Sequence, residues 1–208
     1  MKAIYLPHLG GAEALAYGDL PAPRAQSGHV LVRVHAAAVT PTELQWFPTS
    51  HTPDGGPRPF PVIPGHEFSG TVDEVGPETD GVCVGDAVYG MNDWFAQGAQ
   101  AEFVVAPVAM VAPKPVTVSH ARAAVVPISA LTAWQALTER ARLRPRERIL
   151  IHGAAGGVGL FAVQIAHAAG ALVVATASSA NVEFVAGLGA DTVIDYRRSP
   201  FESAAGQV

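Results

Sequence analysis

The chain is expected to fold as a mainly-β half followed by an α/β half with a parallel sheet. Two observations carry that expectation. Up to about residue 120, short runs of alternating apolar and polar residues are punctuated by glycine and proline, and beyond it helical periodicity and short β-branched runs take turns. The domains are accordingly drawn as residues 1–120 and 121–208.

In the first half, His29-Val30-Leu31-Val32-Arg33-Val34-His35 places three valines on one face of a half-buried strand. Phe68 to Val75, Asp86 to Tyr89 and Ala101 to Val105 read as further strands of a small barrel-like or sandwich domain. The proline-rich stretch from Pro48 to Pro64 reads as a rigid surface loop. From about Ser119 the pattern turns helical through Ala130, Leu131, Trp134 and Leu137. Strands are then expected at Arg148 to Gly153, Ala171 to Thr176 and Thr192 to Tyr196, with a helix marked by Val158, Phe161 and Ile165 after the first.

Composition excludes several classes of function. With 49% hydrophobic and 15% charged residues, the 208-residue chain can bury a sizeable core. A net charge of −5 argues against a nucleic-acid surface, and the alternating Arg140, Arg142, Arg144, Arg146 and Arg148 read as a solvated linker. Cys83 is the single cysteine, so neither an intramolecular disulfide nor a cysteine-based metal cluster can form. The start, Met1-Lys2-Ala3-Ile4-Tyr5-Leu6, lacks the apolar core of a signal peptide, and no window approaches the ~18 apolar residues of a membrane span. A cytoplasmic protein without a membrane partner is the expectation.

The most informative stretch is Gly156-Gly157-Val158-Gly159, where the first strand of the second half hands over to its helix. A tight turn of this kind directs backbone N–H groups at the helix N-terminus toward a pyrophosphate, and glycine permits the close approach. Ala154 stands at the first glycine position of the strict spacing, with Gly156 and Gly159 at the second and third. The alternative is a purely structural glycine turn. An acidic residue that grips a ribose hydroxyl is expected about 20 residues on. Ala177-Ser178-Ser179-Ala180 stands there without a carboxylate, so Ser178 and Ser179 can hydrogen-bond a 2′-phosphate and favour NADP(H) over NAD(H), unless the serines only cap a helix.

With these motifs in place, the chain resembles the medium-chain dehydrogenase/reductase superfamily and, within it, the zinc-free quinone oxidoreductase-like branch. The resemblance rests on Met1-Lys2-Ala3, Val30 to Val39, Pro64-Gly65-His66-Glu67-Phe68-Ser69-Gly70, Val84-Gly85-Asp86-Ala87-Val88-Tyr89-Gly90, Ala101-Glu102-Phe103, Ala130-Leu131-Thr132-Ala133-Trp134, the glycine turn, Leu188-Gly189-Ala190-Asp191 and Ile194-Asp195-Tyr196. It implies a GroES-like β domain followed by a Rossmann-like domain. Alignment to the zinc enzymes of the superfamily puts Thr40 and roughly Ile128 where cysteine ligands belong. His66 with the nearby Glu67 does not reach the ligand count of a tetrahedral site, so no metal is expected and His66 reads as a buried, hydrogen-bonded histidine.

Without a Lewis acid, a conjugated acceptor is easier to reduce than a simple ketone, because the charge that arrives with hydride spreads onto an oxygen that a few donors can stabilise. The resemblance points the same way, to quinones and α,β-unsaturated carbonyls. It implies Thr40 near nicotinamide and substrate, where the branch carries asparagine, and Thr132 beside the cofactor. Thr42 falls at the proton-relay position of the zinc enzymes and reads as a turn residue. Trp46, Phe47, Trp94 and Phe95 are expected either to wall a flat apolar pocket or to be partly exposed packing residues. The resemblance also assigns Tyr196 to the 2′-phosphate, while a lysine common two residues after Ser178 is replaced by Ala180.

Three strands are expected of a sheet that has six when complete, and the chain runs only twelve residues past Tyr196, to Val208. The expectation is therefore a truncated reductase that is either a homodimer or dependent on a missing C-terminal segment. A binding-only protein and a zinc alcohol dehydrogenase remain as alternatives.

Overall fold

A computed structural model of the protein describes residues 1–40 and 42–201. The chain divides into two compact units, Met1–Pro127 and Ile128–Val208.

The first unit opens with an antiparallel pair, β1 (Lys2–Tyr5) and β2 (Ala16–Asp19). Its main sheet has five antiparallel strands, β3 (His29–Ala37), β4 (Glu67–Val75), β5 (Ala87–Met91), β6 (Phe103–Pro107) and β7 (Val111–Pro113), in the order β6-β3-β4-β5-β7. Val30 and Val32 of β3 are fully buried with Phe68, Val72, Val88, Val104 and Ala106, and Val34 packs against this cluster. The alternating valines therefore do share the core face. Leu31 is buried as well, so the start of β3 is covered on both sides.

Two short helices complete the unit, α1 (Phe47–Ser50) and α2 (His120–Ala123). Ser119 caps α2 by accepting from the Arg122 N–H at 3.3 Å. The pattern turns helical where the sequence predicts, yet α2 belongs to the first unit, resting on β3 and β4. His120 fixes it there. Its ring stacks on that of His35 at 4.4 Å, and its Nδ1 lies 2.8 Å from Ser69 Oγ.

The second unit is an α/β layer. Helix α3 (Pro127–Trp134) continues into a wider helical turn over Gln135–Arg140. Then β8 (Arg148–Ile151), α4 (Gly157–Ala168), β9 (Leu172–Ala177), α5 (Val182–Gly187) and β10 (Thr192–Asp195) alternate. The three strands are parallel in the order β10-β9-β8. One face of the sheet is covered by a core of Ile151, Val163, Ala166, Val173, Ala175 and Val185, and on the other Val174 packs with Ile194, Leu150 and Phe201, which is why β9 reads as a continuous apolar run. Gly153 lies outside β8 because the backbone has turned to φ +61°, the left-handed region that favours glycine.

Candidate functional sites

In the second unit the glycine turn sits at the carboxyl end of the parallel strands, where ligands of open α/β sheets gather. Thr176 of β9 holds the loop: its carbonyl accepts from Ala154 N–H at 3.1 Å and its Oγ1 from Gly153 N–H at 3.3 Å. Gly156 is the N-cap of α4 and provides no side-chain cap, and the helix closes its first bond from Leu160 N–H to the Gly156 carbonyl at 3.0 Å. The N–H groups of Gly157, Val158 and Gly159 precede that bond and have no acceptor within the helix. A phosphate is the natural partner for such a set, at the positive end of a twelve-residue helix.

Each glycine of the turn does a different job. A Cβ on Gly156 would meet only the Gly153 carbonyl, at 3.2 Å, so its outer face is an open cradle. On Gly157 it would reach Ser129 Oγ at 3.2 Å, which places α3 against the turn. On Gly159 it would stand 2.3 Å from the Gly153 carbonyl oxygen and 2.7 Å from Ala154 Cα, so this glycine serves the packing of helix on strand. Val158 is exposed. The residues present fit a pyrophosphate.

Beyond β9 the structure adds a residue that local reading missed. No carboxylate stands directly after β9, at Ser178 to Ala180, but the β9–β10 pairing sets Asp195 opposite Ala177. Ser179 Oγ donates to Asp195 Oδ2 at 2.5 Å, the Arg197 N–H donates to Oδ1 at 3.0 Å, and Arg198 Nε lies 3.5 Å from Oδ2. The Ser179 hydroxyl, with smaller help from the Arg197 N–H and the two arginines, holds the Asp195 carboxyl below the ordinary carboxylate range. Ser178 Oγ accepts from Asn181 Nδ2 at 3.2 Å. Tyr196 is exposed, as is Ala180. Thr132, on α3, donates its hydroxyl hydrogen to the Ile128 carbonyl of its own helix at 2.7 Å.

In the first unit, Trp46, His66 and Trp94 form one aromatic cluster. Trp46 and Trp94 meet edge to face at 5.5 Å between ring centres, and His66 lies 6.4 Å from Trp46 and 5.2 Å from Trp94. His66 is buried; its Nδ1 is 3.2 Å from Asn92 Oδ1 and its Nε2 is 3.6 Å from Glu43 Oε1. Glu43 is equally buried and its Oε1 accepts from the Gly65 N–H at 2.6 Å. Burial pushes the Glu43 carboxyl up and the His66 imidazole down, favouring the neutral form of each. At 3.6 Å the contact is also too long for a hydrogen bond, so the two are packed polar neighbours and not an ion pair.

Sequence reasoning missed Glu43, because the partners that bury it lie more than twenty positions away. Thr40 and Thr42 precede it in the chain, and their carbonyls accept from Glu43 N–H and Gln45 N–H, each at 3.0 Å. Phe47 leaves the cluster to stack on His51 at 4.4 Å, and Phe95 lines a cavity of about 220 Å³ with His51, Arg58 and Gln97. A larger cavity of about 710 Å³ is lined by Pro21, Phe60, Ile63, Phe103 and Val105, and neither Trp46 nor Trp94 borders it. Among the described residues, no three His, Cys, Asp or Glu side chains converge as metal ligands, and no helix is long and apolar enough to cross a membrane.

Comparison with known proteins places these features in a wider group. Residues 26–116 match the alcohol dehydrogenase GroES-like domain, and residues 157–206 match the zinc-binding dehydrogenase family. The chloroplastic quinone-oxidoreductase homolog of Spinacia oleracea is 37% identical over 203 residues, covering 95% of this chain and 61% of its own length. The solved quinone oxidoreductase of Coxiella burnetii superposes with a TM-score of 0.87 at 33% identity, over 98% of this chain and 65% of that one. A mycobacterial protein solved in complex with NADPH superposes with a TM-score of 0.79 at 33% identity, over 98% and 60% of the two chains. The chain thus spans about three-fifths of the length of the relatives it matches.

Proposed function

Because the chain belongs to the medium-chain dehydrogenase/reductase superfamily, in its quinone oxidoreductase-like branch, we propose that it serves an NADP(H)-dependent reductase that transfers hydride to a quinone or an α,β-unsaturated carbonyl without zinc. The observation that carries this reading is the open cradle at Gly156, with the helix N–H groups of Gly157, Val158 and Gly159 behind it. The dinucleotide, when bound, supplies the hydride. The N–H groups hold its pyrophosphate, and Ser178, Ser179 and Tyr196 hold the 2′-phosphate, Ser179 by exchanging its bond to Asp195.

In the first unit, Trp46 and Trp94 offer flat apolar surface to a conjugated acceptor, and Thr40 supplies a hydroxyl for the oxygen that gains charge. Thr132 serves the cofactor, and must exchange its bond to the Ile128 carbonyl to do so. The zinc-free reading is supported by the groups that reach His66 among the described residues, Asn92, Asp93 and Glu43, none of them a thiolate, while Cys83 stands exposed between β4 and β5. Whether it acts as a homodimer or together with a further C-terminal segment is to be checked by light scattering.

The test is direct. NADPH should quench or shift the protein fluorescence saturably, and its oxidation should depend on an added quinone and persist in a metal chelator. Binding without oxidation by any quinone or enone would leave a dinucleotide-binding protein, and loss of turnover to the chelator would establish metal chemistry.

A further inference from the structure

We propose that Asp195 sets the choice of dinucleotide at this site: its carboxylate holds the Ser179 hydroxyl, accepts from the hydroxyls of an unphosphorylated ribose, and opposes a 2′-phosphate, so that the chain accepts NADH alongside NADPH. The inference rests on the dinucleotide reading of the second unit.

The geometry is specific. Ser179 has one hydroxyl hydrogen, and it is committed to Asp195 Oδ2 at 2.5 Å. A 2′-phosphate oxygen that took this hydrogen would displace the carboxylate and still stand within roughly 5 Å of it, one hydrogen-bond length beyond Oγ. Two anions at that separation repel, and the Asp195 side chain is tethered there by the Arg197 N–H at 3.0 Å. The countercharge comes from Arg197 and Arg198, both exposed and therefore screened by solvent, and Ala180 supplies no cation. A bare ribose meets the opposite situation, because its hydroxyls can donate to a carboxylate that already lies beside Ser179.

The carboxylate also caps the turn after β10 through the Arg197 N–H, a role its neutral amide can keep through Oδ1. Asp195→Asn therefore removes charge and leaves the cap. Dissociation constants of NADPH and NADH for the wild type and for Asp195→Asn, with melting temperatures alongside, test the idea. The same titrations with 2′,5′-ADP and 5′-AMP confine the comparison to the adenosine end, and Asp195→Ser serves where the amide variant does not fold.

The expected result is a rise of roughly tenfold in preference for the phosphorylated ligand of each pair, from tighter NADPH and weaker NADH. An unchanged ratio in a folded variant that still binds both dinucleotides would overturn the inference and leave the dinucleotide reading intact. A wild-type chain that binds neither dinucleotide would overturn the reading and the inference together.

Discussion

In the second unit the candidate site is built from backbone N–H groups at the start of α4, whereas in the first it is built from side chains gathered around His66 from segments far apart in the chain. The first kind of site depends on what is missing, namely Cβ atoms, and each glycine can be tested singly. The second kind depends on what is present, and its members are coupled through hydrogen bonds and burial. The two units should therefore respond differently to substitution.

The largest expected effect lies in the turn. Gly159→Val drives a branched side chain into the Gly153 carbonyl, 2.3 Å from where Cβ must go, and should destabilise the second unit by more than about 3 kcal/mol. Gly156→Val should instead leave a folded protein with its cradle filled, and weaken NADPH binding by roughly a hundredfold, the equivalent of two charge-assisted hydrogen bonds at about 1.5 kcal/mol each. Urea unfolding and fluorescence titration separate the two. Equal NADPH affinity in folded Gly156→Val protein would move the ligand away from this turn.

The counterpart in the first unit is Glu43. Glu43→Ala leaves the buried Gly65 N–H without its acceptor and should destabilise by about 1–3 kcal/mol in urea unfolding. Glu43→Gln keeps an oxygen there and should recover most of the loss. If alanine and glutamine were equally damaging, the charge and not the hydrogen bond would be what matters at this position.

This contrast also explains what was legible in the sequence. The mainly-β and α/β halves, the glycine turn and the strands around it could be read, because alternation, helical period and glycine spacing are local signals. Glu43 and Asp195 could not be read as site residues. Glu43 acquires its partner across 22 positions and Asp195 reaches Ser179 across 16, through chain folding and strand register that no local pattern encodes. Thr132 shows another limit: it lies on α3, and a hydroxyl on a helix readily bonds the carbonyl four residues back, here Ile128, which a motif match cannot foresee.

Acidification should separate the units further. Burial lowers the His66 imidazole, as it does His120, where the neighbouring His35 and Lys114 add to the effect. A histidine whose folded value is depressed contributes stability above its unfolded value near 6.5, and that stability is lost as pH falls through 6.5 toward the folded value. Glu43 acts in the opposite sense, since its raised carboxyl favours the folded state as pH falls into its range. Asp195 is depressed, so its contribution to the second unit persists until pH approaches 3.8. Unfolding followed by tryptophan fluorescence between pH 8 and about pH 5 should therefore show a loss that His120→Gln reduces. A loss unaffected by that change would assign the pH dependence to other groups.

The smallest expected effect distinguishes the two serines of the second unit. Ser178 accepts from Asn181 and, among the described residues, has its own hydrogen free for a ligand, whereas the Ser179 hydrogen already goes to Asp195. A 2′-phosphate gains a new bond from Ser178 but only exchanges one at Ser179. Ser178→Ala should weaken NADPH binding about fivefold, near 1 kcal/mol, with NADH unchanged, and Ser179→Ala should weaken it less. Calorimetric titration of the two variants with both dinucleotides reads this directly. Equal losses for NADH and NADPH at Ser178 would show that the serine shapes the turn and does not touch the phosphate, and a larger loss at Ser179 would show that the phosphate recruits that hydroxyl in spite of the carboxylate beside it.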